Sequence, residues 1–194
     1  VTASTRSGPV RSEAARRAIL TAAVELLAER GYDHLAIEGI AARAGVGKQT
    51  IYRWWRSKSA IIAEALLEGM ILRERLDLPN TGDVRADLGA WLKAIGEVLL
   101  SPQGEGLARS LIAAATDNAD VGRRLRDAIA GSGALSTRLH AATGTEPNLT
   151  PGAPIDEIAE ALVGALLLRA LSRSPLDDAA IRGLITVALG PEAP

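Results

Sequence analysis

The 194-residue chain has no cysteine and no phenylalanine. Without cysteine there is no disulfide, no thiolate metal ligand and no thiol nucleophile. Aromatic residues make up only 3% of the chain, as three Trp and two Tyr. Its two His form no HExxH pattern, and neither a GxSxG elbow nor a phosphate-binding glycine loop occurs. Acids, bases and hydroxyls are present but nothing groups them, so the sequence assigns no catalytic residue, no metal and no cofactor, and the expectation is not an enzyme. Long apolar runs are missing too. The longest candidate, ALVGALLLRAL, is interrupted by Arg169, and none approaches the roughly 18 residues of a membrane span. The first ten residues, VTASTRSGPV, lack the apolar core of a secretory signal. A soluble, cytoplasmic protein with no membrane partner is expected.

What is present is helical. About half the residues are hydrophobic (47%), enough for a sizeable core, and they recur at helical spacing with no confident strand. The fold class expected is all-α, with about nine helices. The first runs from Ser12, as N-cap, to Arg30, with Gly31 in the left-handed position that ends a helix. Two short helices fill residues 37–58. The fourth spans Ser57 to Arg75. The turn formers Pro79, Asn80 and Gly82 follow. The fifth spans Val84 to Leu100. SPQGEG then separates it from a sixth, Leu107 to Thr116. The seventh runs from Val121 to His140 with Asp120 as cap, and Gly131 and Gly133 inside it can kink or split it. The eighth covers Ile155 to Ser172 and the ninth Asp177 to Leu189. The net charge of −1 hides an asymmetry: residues 1–60 hold ten Lys/Arg against five Asp/Glu, and the remainder twelve against eighteen. A basic head on an acidic body suits a protein that points one end at phosphates.

Residues 37–58, IEGIAARAGVGKQTIYRWWRSK, carry the most information. Helices that cross steeply need small residues where their backbones meet, and Ala41 and Ala44 supply them. Gly45 stands where the chain reverses, in a conformation glycine enters at no steric cost. Ile37, Ile40, Val46 and Ile51 form an apolar seam. Gly47, Lys48, Gln49, Thr50 and Arg53 are left facing outward, and Gln, Thr and Arg are side chains that read base edges in a major groove. Tyr52, Trp54, Arg56 and Lys58 flank them with a phenol, an indole N–H and cations, all good phosphate partners. A pair of packed helices with an ordinary solvated face satisfies the same periodicity.

AGVGKQTIYRWWRSKSAI, preceded by Gly31-Tyr32-Asp33, resembles the TetR family of bacterial transcriptional regulators, whose signature reads roughly IA..AGVSKGTLYHHFKSKE. The resemblance is specific over about residues 12–65; beyond that it rests on helix number and apolar pattern. It implies a homodimer with a helix-turn-helix DNA-binding domain over residues 11–56, preceded by a flexible tail, 1–10. A helical regulatory and dimerisation domain over 57–194 follows, joined to the head by helix four (57–75). By position, Thr50 approaches a base or backbone, Tyr52 and Lys58 hold phosphate, and Gln49, Arg53 and Trp54 lie on recognition positions; the outward-facing Lys48 is a further candidate reader. Three residues depart from the pattern. Ala36 stands where a capping Thr or Ser is usual, Gly47 replaces a common Ser, and Trp55 replaces a common Phe and is expected between helices one and four.

A short recognition helix reads only a few base pairs, so a palindromic operator bound by a dimer is expected. Helices eight and nine, about 155–189, are the expected dimer surface. A small-molecule effector, mostly apolar, is expected among helices four to eight, with Met70, Trp91, Leu92, Leu111, Ile112 and His140 as candidate contacts. Arg6 and Arg11 precede helix one; a solvated tail is the favoured reading, with an arginine arm that reaches a neighbouring minor groove as the alternative. The expected function is a dimeric repressor of transcription released by that effector. A nonspecific or architectural DNA binder, or a ligand sensor with impaired DNA binding, are the alternatives.

Overall fold

The computed structural model describes residues 9–72, 77–130 and 134–192. Ten helices lie among them: α1 (Pro9–Arg30), α2 (Ile37–Ala44), α3 (Lys48–Tyr52), α4 (Lys58–Leu67), α5 (Val84–Leu99), α6 (Pro102–Asp117), α7 (Ala119–Ile129), α8 (Ala134–Ala141), α9 (Ile155–Ser172) and α10 (Asp178–Leu189). No strand occurs among the described residues. None of these helices is long and apolar enough to cross a membrane.

Local chemistry sets most boundaries. Gly31 ends α1 at φ 73°, its N–H bonded to the Leu27 carbonyl at 2.9 Å. Ser57, Asp83, Asn118 and Asp177 cap α4, α5, α7 and α10 by accepting first-turn N–H groups on their side chains, which satisfies donors a helix cannot bond internally.

Several expected boundaries are corrected. α1 is already helical at Pro9, so Ser12 lies inside it, and proline suits a helix's first turn because its missing N–H costs nothing there. Residues 1–8, including Arg6, are outside the described residues, as is the side chain of Arg11. α4 stops at Leu67; its expected end, Arg75, lies outside the described residues. Gly69 takes φ 67° and donates to Leu66 O at 2.9 Å, while Met70 N–H donates to Ala65 O at 2.8 Å. This bonding pair closes a helix through a left-handed glycine. α6 begins at Pro102, five residues before Leu107, with Ser101 as cap. Its glycines mark close approach, not a loop: a Cβ on Gly104 would lie 1.7 Å from the Val98 carbonyl oxygen. The long seventh helix is two, α7 and α8, with Gly131 and Gly133 between them and outside the described residues. Its cap is Asn118, not Asp120, and Asn118 accepts from the N–H groups of Asp120 and Val121.

Two buried clusters result. The first gathers Ile19, Leu20 and Leu26 of α1, Ile40 and Ile51 of α2 and α3, and Ile61 and Ile62 of α4. It also takes Leu107 and Leu111 of α6 and Leu125 of α7. The second joins α5, α8, α9 and α10 through Leu88, Leu92, Leu139, Leu162, Leu166 and Leu189. Each fully buried Leu or Ile contributes about 1.5–3 kcal/mol over exposure. α4 packs on α1, α6 and α7, so it belongs to the head core while two body helices press against it.

Candidate nucleic-acid interface

The 37–58 stretch forms two short helices around a tight turn. Gly45 sits at φ 66°, and Val46 N–H bonds back to Ala41 O at 3.0 Å. Ile40, Ala41 and Ile51 are buried, with Ile37, Ala44 and Val46 packed against the same core. Trp55 is buried there as well. α2 is fixed to α1 by Arg43, which bonds Glu29 at 2.8 Å through two nitrogens and Glu25 at 3.3 Å. The recognition segment thus rests on a rigid base.

Its outer face is open. Lys48, Gln49 and Arg53 are exposed and Thr50 is half-buried. Tyr52 and Trp54 are 54% and 42% exposed, unusual for large rings on a soluble domain and suited to a surface that awaits a partner. Among the described residues, the side chains of Gln49, Tyr52, Arg53 and Arg56 have no hydrogen-bond or ion-pair partner. Free donors and acceptors on one short helix and in the turn after it can match base edges and phosphates at no cost in broken internal bonds. Lys48 is different: its ammonium bonds Glu38 of α2 at 3.1 Å. That carboxyl is held below its ordinary range by its own backbone N–H and by Lys48. Both helices begin without a side-chain cap, at Ala36 and at Gly47; the first was implied by the sequence departure at Ala36.

Lys58 does not face outward with these residues. Its ammonium donates to the carbonyls of Tyr32 and Leu35 at 3.0 and 2.9 Å. It also stands 4.4 Å from the centre of the Tyr32 ring. Sequence spacing gave no sign of this, because the partners lie 23 and 26 residues away.

In the body, the candidate effector contacts do not all converge. Leu111 and Ile112 line an open, apolar cleft of about 260 Å³ between α6, α7 and α9. Beneath it lies a space of about 40 Å³ lined by Trp91, Ile95, Leu99 and Leu66. Leu111, Ile129, Val163 and Leu167 line both. Met70 lies apart, in a crevice with Val24 and Leu27 of α1. Leu92 is fully buried. His140 is exposed, its Nε2 3.9 Å from Asp156. Two residues the sequence reading missed, Arg126 and Glu160, pair at 2.5 Å on the rim of the cleft. Their separation of 34 positions left no signal in periodicity.

A buried scaffold that presents a five-residue helix with unpartnered polar side chains defines a helix-turn-helix protein. The family model described as bacterial regulatory proteins, tetR family, matches residues 19–65. The model described as tetracyclin repressor-like, C-terminal domain, matches residues 78–188. The chain belongs to the TetR family of transcriptional regulators. It is 37% identical over 99 residues to the uncharacterized HTH-type transcriptional regulator YdeS of Bacillus subtilis, covering 51% of this chain and 49% of that protein. The match thus spans about half the length of that curated relative. The crystal structure of the TetR family transcription regulator SCO0332 is similar over 92% of this chain and 99% of that one, at 32% identity and TM-score 0.71. AibR, solved in complex with isovaleryl coenzyme A and operator DNA, shares the fold at 19% identity and TM-score 0.52, over 92% of this chain and 100% of that one.

Proposed function

We propose that the protein binds a palindromic operator as a homodimer, in the cytoplasm, and represses transcription until a mostly apolar small molecule releases it. The observation that carries this reading is the open face of α3 and the residue after it: Gln49 and Tyr52 on a helix whose base, Ile51, is fully buried, and Arg53 just past its end, all without partners among the described residues. Gln49, Thr50 and Arg53 read base edges. Lys48 and Trp54 sit beside them, and Tyr52 holds phosphate.

Dimerisation is supported by a face on α9 and α10 that one chain leaves bare. Leu168, Leu171 and Val187 are 66%, 49% and 73% exposed. Gly164 and Gly183 are helical glycines with open space where a Cβ would stand. Mid-helix glycine costs about 1 kcal/mol relative to alanine, and close approach of a second helix gives it a purpose. Two copies then set the heads about 34–36 Å apart, one turn of DNA.

The effector is placed in the cleft containing Leu111 and Ile112. The inner space is too small for a ligand, so entry displaces the shared wall of Leu111, Ile129, Val163 and Leu167. That wall belongs to α6, α7 and α9, and α6 touches the head directly: Arg109 bonds Asp33 at 2.8 and 3.0 Å. Coupling of this kind amounts to about 1–3 kcal/mol and is reciprocal between DNA and effector.

Selection of bound duplexes from a random pool tests the reading. A two-fold symmetric consensus bound by two chains is expected; no enrichment of any sequence contradicts it.

A further inference from the structure

We propose that Glu38 is a specificity-determining residue: with Lys48 it forms a two-residue reader of one G·C base pair, Lys48 donating to the guanine and Glu38 accepting from the cytosine. This rests on the reading of the protein as a sequence-specific DNA binder.

Glu38 is the single Asp or Glu in residues 34–60, a stretch that holds five Lys/Arg, so it is the exception on a segment otherwise suited to phosphate. A carboxylate there repels the DNA backbone and lowers affinity for every duplex. Its place gives it a use. Glu38 lies exposed in the first turn of α2, while Ile40 and Ala41 of the same helix are buried. Lys48 opens α3 beside Gln49, and its 3.1 Å bond to the Glu38 carboxylate brings Glu38 to the edge of the recognition face. The Lys48 and Glu38 side chains are 54% and 66% exposed, so a groove can reach both. The carboxyl is held below its ordinary range by its own backbone N–H and by Lys48, so at neutral pH it accepts and does not donate.

The pair matches one base-pair edge. An ammonium has three N–H donors; one on Lys48 goes to Glu38, which leaves two. In the major groove a G·C pair presents the N7 and O6 acceptors of guanine, then the N4 donor of cytosine. O6 and N4 are hydrogen-bonded to each other within the pair, so they stand one bond length apart. The ammonium of Lys48 and the carboxylate of Glu38 stand at the same spacing, 3.1 Å. Two spare donors therefore meet two acceptors, and the carboxylate meets the amine. An A·T pair places its N6 donor between the N7 and O4 acceptors, so the carboxylate would face an acceptor on either side. An inverted pair reverses the order along the groove. The repulsion that Glu38 suffers from phosphate is offset only where a cytosine amine is in reach, which favours discrimination over affinity.

The test selects duplexes from a random pool with wild type, Glu38→Ala, Lys48→Met and the double variant. Affinities are then measured on the wild-type consensus and on duplexes changed at one base pair per half-site. Both side chains lie outside the core, so all four proteins are expected to fold. Wild type is expected to prefer G·C at one position in each half-site, over A·T and over the inverted pair, by about tenfold, the scale of one good base contact. Glu38→Ala loses that preference at that position alone, keeps the rest of the consensus, and binds a shuffled duplex more tightly than wild type. Lys48→Met loses the same preference, and the double variant loses no more than either single one, because the two residues act as a unit. Four results overturn the proposal. The consensus of Glu38→Ala is unchanged, with affinity raised equally on every duplex, as for a mere surface charge. All positions lose preference together, as for a residue that only holds α2 in place. The losses in the two single variants add, as for independent contacts. Wild type selects no G·C at the position that Glu38→Ala alters. If wild type enriches no sequence at all, the DNA-binding reading itself fails and the proposal falls with it, whereas a wild-type consensus indifferent to Glu38 removes the proposal and leaves that reading standing.

Discussion

Asp87 is nearly inaccessible to solvent, at 2% exposure, yet it is charged. Burial pushes its carboxyl up, but bonds from the Thr81 hydroxyl and N–H and from the Arg138 guanidinium outweigh this and hold it below the usual aspartate range. Glu68 is likewise held low by Arg16. A carboxyl whose folded pKa is depressed binds its proton more readily in the unfolded chain. Its contribution is complete above the ordinary carboxylate range and is lost as pH falls through the folded value. The thermal midpoint is therefore expected to be flat from neutral pH down to about pH 5 and to fall below about pH 4. Asp87→Asn should lower the midpoint at neutral pH and weaken the acid dependence. A midpoint that does not move between the two proteins at any pH would contradict this role. Such pairs are not legible in sequence: 51 residues separate Asp87 from Arg138, and each reads as an ordinary charged position on a helix. The same holds for Lys58, whose position in the motif suggested a phosphate contact and whose bonds go inward.

At the scale of the element, sequence and structure agree where local chemistry decides. α9 spans Ile155–Ser172 as its apolar pattern requires. Gly31 and Gly45 stand in the left-handed conformation at the two helix ends where they were expected. The disagreements arise where glycine serves packing. Gly104 and Gly106 look like loop residues, but each admits a close neighbour inside α6; a Cβ on Gly106 would lie 2.8 Å from the Tyr32 Cβ. Gly69, conversely, stops α4 without any proline to announce it. The weak element is α2. Ala36 already has extended backbone, φ −129° and ψ 146°, which is the conformation of a capping residue. Ala36→Ser should therefore raise stability by about 1 kcal/mol, as caps typically do, measured by urea unfolding. Unchanged or lower stability would mean that the α1–α2 turn already satisfies the helix start.

For the whole molecule, the head and the body share a boundary that is more than a linker. Glu64 of α4 bonds Arg16 of α1 at 2.6 Å and Arg124 of α7 at 3.2 Å, so the helix that walls the cleft is tied by charge to the head. Long-range ties like this are invisible to spacing arguments, whereas the excess of basic residues in 1–60 and of acidic residues beyond it can be counted in the sequence. The bare face of α9 and α10 makes a direct prediction. Leu168→Glu, at an exposed position that the monomer does not use for its core, should leave the melting temperature of the isolated chain nearly unchanged. It should convert the proposed dimer to monomer in sedimentation and weaken operator binding by orders of magnitude, because two half-sites are then engaged independently. An unchanged dimer would move the interface elsewhere. The central claim is that α3 reads bases, and one comparison tests it: the consensus selected by wild type against that selected by Gln49→Ala. The account predicts that the preferred base changes at one position in each half-site, symmetrically, while the rest of the consensus persists. An identical consensus bound more weakly would show that Gln49 only supports the backbone contact, and would contradict it.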